Sequence, residues 1–195
     1  MSDTIKILGI SGSLRKGSFN TSTLRAAQAL APEGAKIEIF DIAGIPIFNQ
    51  DEDTNPPQRV VEFKKAIREA DAILFVTPEY NYSIPGPLKN AIDWASRPYG
   101  DSAWNGKPVA LMSASVGMFG GARAQYHLRQ SFVFLNMMAV NQPEVTIPSA
   151  QNKFDANGNL TDKTCKGLIK QLLQNLVTLT RTLKIAASQK SERAA

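Results

Sequence analysis

A chain of 195 residues is long enough for one domain with a sizeable buried core. Its 43% hydrophobic and 20% charged residues exclude a disordered chain, and no apolar run nears the ~20 residues of a membrane-spanning helix. A net charge of +5 favours anionic ligands, but no basic run is long enough for a nucleic-acid-binding arm, so no nucleic-acid partner is expected. One cysteine, Cys165, excludes an internal disulfide and a cysteine-rich metal site, and no metal is expected. The first residues, Met1 to Thr4, have no basic segment followed by an apolar core. Together these features point to the cytoplasm.

Residues 5–10 are almost all apolar, as in a central parallel strand covered on both faces. A glycine- and serine-rich loop follows, and residues 21–30 read as the first helix. Residues 36–40 alternate as a second strand nearer an edge, and residues 41–55 form a loop whose acidic run Asp51 to Asp53 reads as solvated surface. Pro56 and Pro57 open a helix striped by Val60, Phe63, Lys64 and Ile67. Residues 72–76 are a third buried strand, 88–96 a helix, 109–112 a fourth strand and 122–136 a long helix. A fifth strand is expected over residues 139–145. Thr161 and Asp162 can cap a last helix running to about Leu183, with Leu168, Leu172, Leu176 and Leu179 on its buried stripe. From Lys184 on the chain is polar and expected to fray.

Strand and helix alternate strictly. That pattern argues for an α/β fold in three layers: an open, doubly wound, five-stranded parallel sheet with helices on both faces. In such a sheet ligands bind beyond the carboxyl ends of the strands, where strand order reverses. In the flavodoxin-like order 2-1-3-4-5 that point lies between strands one and three. The three loops at this edge are the ones with unusual chemistry.

The first loop, Gly9 to Asn20, joins a strand to a helix N-terminus, where unpaired N–H groups and the helix dipole favour an anion. Ser11, Ser13 and Ser18 add donors, and Arg15 and Lys16 add charge. The loop lacks the G-x-G-x-x-G spacing of a dinucleotide fingerprint, and Ser18 and Phe19 stand where a triphosphate loop needs Lys and Ser or Thr. The second loop, Thr77 to Pro87, is stiffened by Pro78 and Pro85 and offers Tyr80, Asn81 and Tyr82 to a planar heterocycle. The third, Ser113 to Gly121, has glycines that let a ligand approach the backbone. His127 reads as a satisfied structural histidine and Cys165 as a buried thiol. Glu79 and Asp93 do not make a hydrolase pair, and Arg123, Tyr126 and Glu144 suggest a subunit contact.

The stretches Gly12-Ser-Leu-Arg-Lys-Gly-Ser-Phe-Asn20 and Thr77-Pro-Glu-Tyr-Asn-Tyr-Ser-Ile-Pro-Gly-Pro-Leu-Lys-Asn-Ala-Ile-Asp-Trp94 resemble the NAD(P)H-dependent FMN reductase family, nearest its bacterial quinone and chromate reductase branch. The resemblance covers roughly residues 5–183. It implies a flavodoxin-like domain over residues 1–184 with a tail over 185–195, and FMN held without a covalent bond. It implies that Ser13, Arg15, Ser18 and Asn20 bind the FMN phosphate, with Ser11, Leu14, Gly17 and Phe19 completing the loop. Pro78, Glu79, Tyr80 and Asn81 would contact the isoalloxazine ring, flanked by Ser115 and Gly120. NADPH or NADH would deliver a hydride to the flavin, and quinones or chromate would then be reduced by ping-pong turnover with no catalytic side chain. The family also implies a homodimer or homotetramer. The rival reading is a flavodoxin-like electron carrier without nicotinamide turnover, and a third is a flavin-free binding domain.

Overall fold

The computed structural model describes residues 4–194. Strands β1 (Ile5–Ser11), β2 (Ala35–Phe40), β3 (Ala72–Thr77) and β4 (Pro108–Ala114) lie in the order β2-β1-β3-β4, and every pairing is parallel. The fifth lane holds two short strands, β5 (Met138–Ala139) and β6 (Val145–Ile147), both paired with β4. The order is 2-1-3-4-5, the flavodoxin-like arrangement.

The expected fifth strand is thus present in two pieces, divided at the polar residues that interrupt it. Pro143 has no N–H to give to β4, so the chain leaves the sheet between the two pieces. Side chains meet its stranded carbonyls: Arg129 Nη2 donates to Val140 O at 3.1 Å and Asn175 Nδ2 to Gln142 O at 2.8 Å.

The helices are α1 (Phe19–Ala29), α2 (Gln58–Glu69), α3 (Gly86–Ala95), α4 (Ala122–Phe134) and α5 (Lys163–Ala194). Two cores sandwich the sheet. Alternate residues of the central strands divide between them, as a two-residue period requires. Ile7, Leu74 and Met112 join Leu24, Leu172 and Leu176 under α1 and α5. Ile10, Phe75 and Leu111 join Phe63, Leu88 and Leu128 under α2, α3 and α4. Helix α1 lies close on β1, where a Cβ at Gly9 would stand 2.7 Å from Leu24 Cδ1.

Helix ends differ in instructive ways from expectation. Pro57 precedes α2 instead of lying in its first turn, and α3 begins two residues early, behind Pro85. Asp162 does cap α5: Cys165 N–H donates to its Oδ1 at 2.7 Å. That helix continues to Ala194, well past the last buried leucine, so the expected frayed tail is helical. The acidic run is not wholly solvated either. Asp53 is nearly buried and accepts from Arg97 Nε at 2.8 Å. Among the described residues no helix is long and apolar enough to cross a membrane.

At the amino end of the sheet, Asp71 accepts from Lys184 Nζ at 2.7 Å and from Lys6 N–H at 2.8 Å. Burial pushes the Asp71 carboxyl up, but these hydrogen bonds and the charges of Lys184 and Lys107 hold it below its ordinary value. Such a group stabilises the fold above its unfolded pKa near ~4, and that contribution is lost as pH falls through the lower folded value. Urea midpoints should fall between about pH 5 and about pH 2, and Asp71→Asn should flatten part of that fall.

Candidate functional site

Loops 1, 2 and 3, which follow β1, β3 and β4, meet at the carboxyl edge of the sheet. Loop 1 is built as a set of donors. Ser18 is the N-cap of α1, and its Oγ accepts from Asn20 N–H at 3.2 Å and Thr21 N–H at 3.4 Å. Ser11 Oγ and Thr21 Oγ1 share a hydrogen bond of 2.9 Å. Ser13 N–H and Arg15 N–H turn back to the hydroxyls of Ser11 and Ser13, at 3.3 and 3.4 Å. Among the described residues the N–H groups of Leu14, Lys16, Gly17, Ser18 and Phe19 have no protein acceptor. They cluster at the positive end of α1, which is the physical requirement for an anion site.

Asn20 has a different place from the one its spacing suggested. It is 4% exposed, and both ends of its amide bind the end of β4. Its Nδ2 donates to Ala114 O at 2.9 Å, and Ala114 N–H donates to its Oδ1 at 2.8 Å. The side chain ties loop 1 to the root of loop 3.

Loop 2 turns tightly at Tyr80–Ser83. Tyr80 N–H donates to Ser83 O at 3.0 Å and Ser83 N–H to Tyr80 O at 2.9 Å. Asn81 and Tyr82 sit at φ 50° and 66°, the paired left-handed geometry of a type I′ turn. A tyrosine held there is strained, a condition that clusters at ligand-contacting segments. Tyr80, Asn81 and Tyr82 remain exposed, whereas Pro78 is buried against loop 1.

Glu79 is spent inside the protein. Helix α4 starts at a left-handed Gly121 and has no cap of its own. Glu79 supplies one from loop 2, accepting from Arg123 N–H at 3.0 Å, Ala124 N–H at 3.3 Å and Arg123 Nη1 at 2.7 Å. The Arg123 guanidinium lies 3.9 Å from the Tyr82 ring centre and 4.4 Å from that of Phe119. Glu79 and Arg123 thus lock loops 2 and 3 together, and the Arg123 charge is paired. Arg123 does not join Tyr126 and Glu144, which meet each other at 3.2 Å.

Loop 3 is shorter than expected, since Ser113 and Ala114 belong to β4. Its glycines serve the protein's own packing. A Cβ at Gly120 would lie 2.9 Å from Pro148 N, so this residue must lack a side chain for the neighbouring backbone to fit. Ser115 is half-buried, and beyond it Val116, Met118 and Phe119 stand exposed. With Leu14, Tyr80 and Tyr82 they give the edge apolar and aromatic walls for a flat ring.

Sequence reasoning missed a buried network beneath these loops. Ser113 Oγ donates to Gly120 O at 2.6 Å and accepts from Gln125 Nε2 at 2.8 Å, and Gln125 also reaches Val145 O at 2.9 Å. The available signal was a serine closing an apolar run. His127 is satisfied, though on the surface, by Ser83 Oγ at 3.0 Å. Cys165 is buried, and burial pushes its thiol up, away from reactivity. Asp93 pairs with Lys89 at 2.7 Å, not with Glu79.

The NADPH-dependent FMN reductase family model matches residues 5–152. The NAD(P)H-dependent FMN reductase of Pseudomonas aeruginosa is 56% identical over 94% of this chain and 100% of its own length. The NADPH:quinone oxidoreductase of Arabidopsis thaliana is 48% identical over 92% of this chain and 94% of its own. Among solved structures, FerB, a flavoenzyme NAD(P)H:(acceptor) oxidoreductase from Paracoccus denitrificans, superposes with a TM-score of 0.81 at 34% identity, over 89% of this chain and 98% of that one.

Removing the amide that joins loop 1 to β4 leaves a buried N–H and C=O unpaired, each costing about 1–3 kcal/mol. Asn20→Ala should therefore destabilise the protein by about 2–4 kcal/mol in urea denaturation.

Proposed function

The chain belongs to the NADPH-dependent FMN reductase family, and on that premise we propose that it is an FMN-dependent NAD(P)H oxidoreductase that reduces quinones, with chromate as a further acceptor. The observation that carries the reading is the set of unpartnered N–H groups in loop 1. Its unpartnered N–H groups, the Ser13 and Ser18 hydroxyls and Arg15 fit a single monophosphate. No second phosphate-binding glycine loop of triphosphate type accompanies them.

The residues present fit the cofactor. Ser11, Ser13, Leu14, Arg15, Gly17, Ser18 and Phe19 form the phosphate loop, and Pro78, Tyr80, Asn81 and Ser115 frame the ring. Asn20, Glu79 and Gly120 position these contacts from behind. Bound FMN would supply the redox chemistry, accepting a hydride from NAD(P)H and giving two electrons to the acceptor. The protein's own work is to hold the ring and keep its exposed face open. The tight turn fixes Tyr80 and Asn81, and the exposed Val116, Met118 and Phe119 exclude water from one side. One open face must serve both reactants in turn, which gives ping-pong kinetics. Arg123 is neutralised by Glu79, so attraction of an anionic acceptor rests on the net charge of +5 and not on one free arginine at the rim.

Helix α4 also presents Tyr126, Val133 and Phe134 to solvent at helical spacing. A second copy of the chain covering this stripe would give the homodimer or homotetramer.

Purified protein, supplied with FMN, should show flavin bands that bleach anaerobically with NADPH or NADH and return on adding a quinone. Bands that do not bleach would leave an electron carrier instead. Arg15→Ala should weaken FMN binding by about 1.5–3 kcal/mol, measured by flavin fluorescence titration.

A further inference from the structure

One cavity lies away from the carboxyl edge of the sheet. It has a volume of about 370 Å³ and sits between the second half of α1, the turn at residues 154–160 and the start of α5. No residue of loops 1, 2 or 3 lines it. It belongs to the layer of α1 and α5, whereas the exposed stripe of α4 belongs to the opposite layer, so a second copy on that stripe leaves it open. Its walls are preformed. Ala26, Ala29 and Leu30 of α1 and the buried Leu160 make an apolar floor. The turn opposite is held by Asp155, whose Oδ1 accepts from Asn157 N–H at 2.9 Å and Asn159 N–H at 2.8 Å, and whose Oδ2 accepts from Asn159 Nδ2 at 2.9 Å. The tip of the turn closes on α1, where Gly158 has φ 78° and a Cβ would stand 3.0 Å from Ser22 Oγ. Walls fixed in this way need little reordering to accept a guest.

The charge of the cavity has one sign. Arg25 and Lys166 line it, and no carboxylate does. Among the described residues neither cation is in an ion pair, although Lys166 is half-buried. Helix α1 has no acidic residue, and α5 has none before Glu192. Asp155 has both oxygens occupied within the turn, and Asp162 is taken up by Cys165 N–H at 2.7 Å and Lys153 Nζ at 3.7 Å. A guanidinium and an ammonium beside an apolar floor suit a carboxylate carried on a compact apolar body. The carboxylate takes charge-assisted hydrogen bonds from such donors, and the body covers the floor. The volume is at the low end for small-molecule sites, which limits the guest to about one or two rings.

We propose that this cavity is a second ligand site, separate from the flavin edge, and that it binds a small organic carboxylate with an apolar body. The proposal stands on the cavity alone and does not depend on the redox reading above.

The test titrates the flavin-loaded protein with 2-naphthoate and follows the backbone amides by two-dimensional NMR, beside the variants Lys166→Glu and Ala29→Trp. Ala29 is exposed, so the added ring fills the cavity without entering the core. Arg25 is kept, because it also borders the cleft beside loop 1. Saturable shifts are expected at Ser22, Ala29, Gly158 and Lys166. Each variant should weaken binding about tenfold or more, and the uncharged 2-naphthalenemethanol should bind the parent at least about tenfold more weakly than the acid. Flavin content per chain should equal that of the parent. Shifts confined to Leu14, Tyr80, Asn81 and Tyr82 overturn the proposal, because the ring would then sit at the flavin edge. Equal binding of acid and alcohol, unchanged affinity in either variant, or no saturable shift up to about 10 mM also overturns it. Loss of flavin from Lys166→Glu overturns it as well, since the cavity would then be part of the flavin site. If the parent takes up no flavin, it is the redox reading that fails, and the same titration of the protein alone decides the cavity by the same shifts.

Discussion

Both ends of the Asn20 amide are held by the backbone of Ala114, and the geometry of the whole carboxyl edge depends on that pair of bonds. Loop 1 is a glycine-rich segment with few internal contacts, and left to itself it would sample many conformations. Asn20 fixes its far end to a strand that is buried along its whole length. The first turn of α1, with its unpaired N–H groups, is thereby aimed at a constant point beyond β1 and β4. Glu79 does the equivalent job on the other side, joining loop 2 to the start of α4. Two side chains of modest size convert three separate loops into one rigid rim.

This rigidity is built on a sheet whose central strands have no freedom of register. Every residue of β3 and β4 is buried. A shift of one position would exchange the residues packed under α1 and α5 with those packed under α2, α3 and α4. The rim therefore inherits its precision from hydrophobic packing, and the polar network of Ser113, Gln125 and Gly120 transmits it to loop 3.

Where sequence reasoning succeeded, the signal was local. Apolar runs marked β1, β3 and β4 because strands covered on both faces need them. Glycines and prolines marked the loops at the carboxyl edge, strict alternation marked a parallel sheet, and the strand order came from the resemblance to a flavodoxin-like family. It failed where the deciding contact is distant. The structural partner of Asn20 was hidden because it lies 94 positions away. Asp53 looked solvated because its neighbours are acidic, but it meets Arg97 across 44 positions. The packing demand on Gly120 was hidden for the same reason, since it comes from the backbone at Pro148. The fifth strand was legible as one interrupted by polar residues, and the missing N–H of Pro143 is where it divides into β5 and β6.

The capping role of Ser18 has a further consequence. Its oxygen is already occupied by two amide hydrogens, so the hydroxyl can only give a proton outward. The unpartnered N–H groups of Leu14, Lys16 and Gly17 beside it can likewise only donate. A cluster of this polarity is matched best by a guest that brings lone pairs alone. An alcohol there accepts but also carries a hydrogen without a partner, whereas an oxyanion has lone pairs for every donor. The loop therefore favours guests by the direction of their hydrogen bonds as well as by charge.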